Sequence, residues 1–176
     1  MAESQETFKR LVIDQGNVEL AFPDDWEVHA EEAGHLRMEP SDQRVRLEVS
    51  YSMLEARPQP PAVDRLREIL RVGPPEPHDD VLVHSVMGLP QEVYWADYVF
   101  RRQDAQGQYR QAHARWLLAT NGLLQALVSY HYWDDDAGWA VRLWEEIVPT
   151  LLLDRGRPAG GPPTSGKAQF TLMHRE

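Results

Sequence analysis

Three long runs in the middle of the chain, "QEVYWADYVFRRQ", "YRQAHARWLLA" and "LLQALVSYHYW", alternate apolar with polar residues, and only "DAQG" and "ATNG" separate them. A period of two marks strands, because successive side chains leave a pleated backbone on opposite sides. Connections this short join antiparallel neighbours and cannot carry a parallel crossover. The chain is therefore committed to an antiparallel meander at its centre. Register follows from the side-chain pattern. A two-residue turn at Asn121-Gly122 would set Gln111, His113 and Arg115 on the face of Val128 and Tyr130. A three-residue loop with Gly107 or Gly122 in the left-handed conformation avoids that clash of character. Tyr98 and Phe100 then face Ala114 and Ala112, and Trp116 falls between Ala96 and Ala126, so that large meets small across the strands.

The same register predicts a second face of mixed character. Trp95, Asp97, Val99, Leu117, Arg115, His113, Leu127, Gln125, Ser129 and His131 lie on it, with Asp97 across from Arg115 as an ion pair. One wholly apolar face and one half-apolar face call for cover on both sides. Further strands are predicted at "NVELAF", "HLRM", "RVRLEVSY" and "VLVHSVMG". In "PAVDRLREILRV" the period changes, with Val63, Leu66, Ile69 and Leu70 on one helical face, and "DDDAGWAVRLWEEIV" turns Val141, Trp144, Ile147 and Val148 inward. The fold class that follows is α+β, an antiparallel sheet with helices packed on both faces.

With 176 residues and 42% hydrophobic content, the chain has the material for one core and not two. Residues 1–16 read as a lead-in, 17–156 as the domain, and 157–176 as a flexible tail, because "RPAGGPPTSGKAQ" carries no apolar periodicity. A formal charge of −10 disfavours nucleic acid and anionic membrane as partners. The absence of cysteine removes disulfides, thiolate metal sites and a cysteine nucleophile. No apolar leader and no membrane-length run are seen, which predicts a cytoplasmic protein.

Catalytic and cofactor motifs fare poorly. "GPPTSGKA" matches a phosphate-binding loop only superficially: Ala168 stands where Ser or Thr is needed, and Pro162 and Pro163 remove backbone donors. His78, Asp79, Asp80 and His84 lack the helical spacing of a metal site, and His29 and His35 flank a surface turn. Asp134, Asp135 and Asp136 read as a helix N-cap and dipole partner. Only Asp97 with His113 offers acid–base geometry, and an ion-pair network with Arg115 explains both residues. No cofactor, metal or catalytic residue is expected.

In "FPDDWEV" an alternating strand runs into Pro-Asp-Asp and then Trp. Pro23 presets a tight turn, Asp24 or Asp25 hydrogen-bonds locally, and Trp26 anchors the returning chain in the core. This stretch, followed by "VDRLREIL", "GLPQEVYWADYVF", the long hairpin and "EEIVPTL", resembles the PsbP-like family, which takes in DcrB-like bacterial proteins and a Ran-binding Mog-type protein. The resemblance spans roughly residues 17 to 154 and implies an antiparallel sheet between helices. It carries no catalytic motif. The expected function is a non-enzymatic protein-binding or chaperone-like module, with a protein partner or a second copy of the chain on the mixed face. Its binding residues would be Trp95, Asp97, His113, Arg115, Leu117, Leu127 and His131. The other reading is a small acidic ligand, with or without hydrolysis, in a cleft around Asp97, His113 and Arg115.

Overall fold

The computed structural model describes residues 7–31, 35–55, 59–72, 81–154 and 170–174. Its strands are β1 (Phe8–Ile13), β2 (Val18–Pro23), β3 (Glu27–Ala30), β4 (Leu36–Glu39), β5 (Val45–Met53), β6 (Val83–Ser85), β7 (Glu92–Gln103), β8 (Tyr109–Thr120), β9 (Leu124–Trp133), β10 (Leu152–Leu153) and β11 (Phe170–His174). The α-helices among the described residues are α1 (Ala62–Val72) and α2 (Ala137–Ile147). Two sheets result, one of seven strands in the order β3-β4-β5-β9-β8-β7-β6 and one of four in the order β10-β2-β1-β11. Every pairing is antiparallel, as the short central loops require. The chain is α+β and mostly sheet.

The β7–β8 hairpin has the expected register: Asp97 faces Arg115, Tyr98 faces Ala114 and Phe100 faces Ala112. Gly107 takes φ +77° in the loop, the left-handed conformation that a side chain resists. The β8–β9 hairpin does not follow the expected pairing. It turns as a two-residue loop at Gly122-Leu123 instead of a three-residue loop ending at Gly122, with Gly122 at φ +87° and Asn121 bonded to Leu124. The cause is local. The Asn121 carboxamide oxygen accepts from the amides of Leu123 and Leu124, and the Thr120 hydroxyl donates to the Leu124 carbonyl while accepting from the Gly122 amide. The pairing is displaced by three residues, since Trp116 was expected beside Ala126, and a displacement by an odd number turns every side chain of β9 to the other face. Arg115 therefore lies opposite Tyr130 and His113 opposite Tyr132, while Trp116 meets Ser129 and Ala114 meets His131.

These turns can be tested by glycine substitution. A Cβ at Gly122 would meet nothing within 4 Å, so Gly122→Ala isolates the backbone penalty and is expected to cost about 1–2 kcal/mol. Gly138 in α2 is equally open and has no positive φ, so Gly138→Ala is expected to gain about 0.5 kcal/mol. Urea unfolding of the two variants reads both signs.

The inner face of the large sheet, with Val45, Leu47, Val49, Leu117, Ala119, Ala126, Val128, Tyr130 and Tyr132, packs on the small sheet through Leu11, Ile13, Val18, Leu20 and Phe22. Helix α2 joins this core through Ala140, Leu143, Trp144 and Ile147. On the opposite, outer face α1 sets Ala62, Leu66 and Leu70 against Ala96 and Leu118. The inner face is thus covered by a second sheet as well as by a helix, which the pattern of the central strands does not announce.

Both ends of the expected domain shift. β1 lies inside the presumed lead-in, yet Leu11 and Ile13 are fully buried. Lys9, also buried, donates to the carbonyls of Asp24 and Trp26 at 2.7 Å each. That ammonium ties the Pro23–Trp26 turn to β1 and fixes buried Trp26 at the core. At the other end, residues 170–174, expected in the flexible tail, form β11 against β1. The phosphate-loop motif and the trio His78, Asp79 and Asp80 lie outside the described residues. Among the described residues no helix is long and apolar enough to cross a membrane.

Candidate functional site

The slip of β9 divides the expected binding set. Trp95, Asp97, His113, Arg115 and Leu117 share the inner face, whereas Leu127 and His131 point to the outer one. Leu127 packs with the α1 cluster.

On the inner face the arrangement is a stacked column. His84 lies parallel to Trp95 at 4.3 Å between ring centroids, and Trp95 meets the edge of Trp144 at 6.1 Å. The Arg115 guanidinium sits 5.0 Å from the Trp95 ring, 5.8 Å from Trp144 and 6.0 Å from Tyr132. Arg115 is only 8% exposed. Its charge is held by ring faces, which attract cations through their quadrupoles. The expected Asp97–Arg115 ion pair is not formed among the described residues: Asp97 is exposed, while Arg115 is drawn under the aromatic rings. His113 does not pair with Asp97 either. Its Nε2 lies 2.7 Å from Asp134 Oδ1, and its ring stacks on Tyr132 at 4.9 Å. The Asp97–His113 pair that sequence offered is not formed, because Asp134 engages the imidazole instead.

The same contact corrects the reading of the three aspartates. Asp136 makes no side-chain cap on α2. Asp134 instead binds Gln111 and His113, and Asp135 binds Arg110. The acidic turn ties the start of α2 to β8.

The outer face holds the cavity. Helix α1 covers the β6–β7–β8 side as far as Tyr98 and Trp116, where the indole N–H donates to the Tyr98 hydroxyl at 3.2 Å. Beyond that row lies a groove of about 500 Å³ between the β4–β5 turn and the tip of the β7–β8 hairpin. Arg44, Arg46, Arg102 and Arg110 line it, against Asp42 and Asp104. Phe100, Ala112 and Trp133 supply apolar surface, and His131 lies among them. A surplus of arginine stands out in a chain with a formal charge of −10.

Each arginine is placed differently. Arg46 reaches Glu39 at 3.3 Å and Glu48 at 3.8 Å, Arg44 lies 4.0 Å over the Trp139 ring, and Arg110 lies 4.9 Å over Trp133. Glu39, Glu48 and Asp135, which steady Arg46 and Arg110, do not themselves line the groove. Arg102 is exposed and forms no salt bridge among the described residues. It stands directly across from Arg110. Burial lowers the His131 pKa to about 4; Glu48 opposes this shift, and Arg102 and Arg46 add to it. The imidazole is therefore neutral at neutral pH. The groove was not legible as a unit, because its residues come from separate strands and meet only in the shifted β9 register.

With this geometry in view, comparison with known proteins places the fold. The uncharacterized protein alr1449 of Nostoc sp. strain PCC 7120 is 24% identical over 157 residues, covering 86% of this chain and 80% of its own. The solution structure of cyanobacterial PsbP (CyanoP) from Synechocystis sp. PCC 6803 superposes with a TM-score of 0.59 at 12% identity, covering 88% of this chain and 97% of that one. A crystal structure from Bacteroides thetaiotaomicron VPI-5482 gives 0.60 at 14% identity; 86% of this chain is covered, but only 50% of the Bacteroides protein. The likeness to CyanoP supports a PsbP-like fold. The family described as Alr1449 matches residues 9–155, and the chain belongs to it.

Proposed function

We propose that the chain is a non-enzymatic protein-binding module, in the manner expected of the PsbP-like and chaperone-like DcrB group, and that it binds through the outer-face groove. One observation carries this reading. Helix α1 stops short of the hairpin tip, leaving Phe100, Arg102, His131 and Trp133 around an open groove. Apolar rings beside fixed polar groups are the ordinary composition of a contact surface. The partner is a protein, or a second copy of the chain.

A photoreactive phenylalanine analogue placed at Phe100 reports on this directly. Phe100 faces the groove, and its neighbour Val99, 51% exposed, faces the other way. Irradiation in native lysate is expected to give a discrete protein adduct from position 100 and none from position 99. Equal labelling from both positions, or labelling from 99 alone, contradicts the reading.

A further inference from the structure

Inside the groove, Arg102 and Arg110 are direct cross-strand neighbours. Like charges placed so are unfavourable unless an anion lies between them. Arg110 is already oriented by Asp135 and by the Trp133 ring, which leaves the remaining donors of its guanidinium fork for a ligand. Arg102 has no such commitment among the described residues. Guanidinium groups match carboxylates with paired hydrogen bonds, so two of them side by side favour an anionic ligand rather than a neutral one.

The length of the groove separates a chain from a small ion. Its lining passes from β5 through β9 and β8 to β7, which are successive neighbours in the sheet. Three strand spacings cover about 14 Å, the span of about four extended residues. Phe100, Ala112 and Trp133 form one row across the strands, and Arg102 and Arg110 form the next row toward the hairpin tip, so apolar seats and charges run side by side along that path. Resting on the binding-module reading above, we propose that the groove takes an extended acidic segment of a partner protein, with carboxylates on Arg102 and Arg110 and a ring or aliphatic side chain against Phe100 or Trp133. The overall negative charge of the chain then works in favour of selectivity, since it opposes acidic proteins in general and leaves their capture to the local excess of arginine.

The probe is a labelled synthetic octapeptide of alternating Glu and Phe, followed by fluorescence anisotropy with the full chain. Binding is expected to weaken at least tenfold in Arg102→Glu and in Arg110→Glu, and to weaken with added salt. Arg101→Glu is the control, because Arg101 is the next residue of the same strand and faces away from Arg102, opposite Gln111; it is expected to change affinity less than twofold. Inorganic phosphate and free glutamate are expected not to displace the peptide at matched concentration. If a reversal variant fails to fold by circular dichroism, Arg102→Gln takes its place, with a fivefold loss expected. Absence of peptide binding overturns the acidic-segment proposal, as does equal weakening by Arg101→Glu or displacement by phosphate. The photo-crosslink from position 100 would still decide whether the groove binds a protein at all.

Discussion

Trp144→Ala is expected to cost about 3–5 kcal/mol, the range for removing a buried tryptophan from a close-packed core. Trp144 is 3% exposed, stacks on Tyr130 at 5.5 Å and closes one side of the aromatic enclosure around Arg115. Its loss leaves a cavity and also withdraws a ring face from a guanidinium that is itself buried and whose Nε has no hydrogen-bond partner. Both effects act in the same direction. Urea unfolding should show a lower midpoint at unchanged slope. A loss below about 1 kcal/mol would mean that the column from His84 to Tyr132 is not part of the cooperative core.

The second large effect depends on pH. His131 has a folded pKa of about 4 against an ordinary value of 6.5, because burial disfavours the imidazolium. The unfolded chain therefore takes up a proton near pH 6.5 that the folded chain refuses until near pH 4. The stability that depends on a neutral His131 is complete above pH 6.5 and is lost as pH falls toward 4. A shift of this size corresponds to at most about 3 kcal/mol. Carboxylates titrate in the same window, so the readout is the difference between wild type and His131→Gln. The wild-type curve is expected to fall more steeply below pH 6.5; parallel curves would show that His131 is hydrated in the folded state.

Where the sequence succeeded and failed has physical reasons. The β7–β8 register was legible because Gly107 supplies the left-handed position that a three-residue loop needs, and the large and small side chains agree with it. The β8–β9 register was not. There Asn121 and Thr120 use their side chains to close a two-residue turn at Gly122-Leu123, a choice that strand periodicity cannot register. That single slip moved His131 and Leu127 across the sheet and hid the groove. β1 was overlooked because Lys9 looks like a surface residue, although its ammonium is buried on the carbonyls of Asp24 and Trp26. β11 was overlooked because five residues after a Gly- and Pro-rich stretch carry too short a pattern. The buried Arg115 was foreseen as charged but not as enclosed by rings, since two of the three rings, Tyr132 and Trp144, lie on β9 and α2.

The central claim is that binding uses the outer-face groove and not the inner-face column around Trp95. Chemical-shift mapping on isotope-labelled protein tests it most directly, with the alternating Glu and Phe octapeptide as titrant. The amides of Phe100, Arg102, Arg110 and His131 and the Trp133 indole are expected to move together with a single affinity, while Trp95, Asp97 and Leu117 stay in place. Shifts centred on Trp95, Asp97 and Leu117, with the groove signals unmoved, would contradict the account.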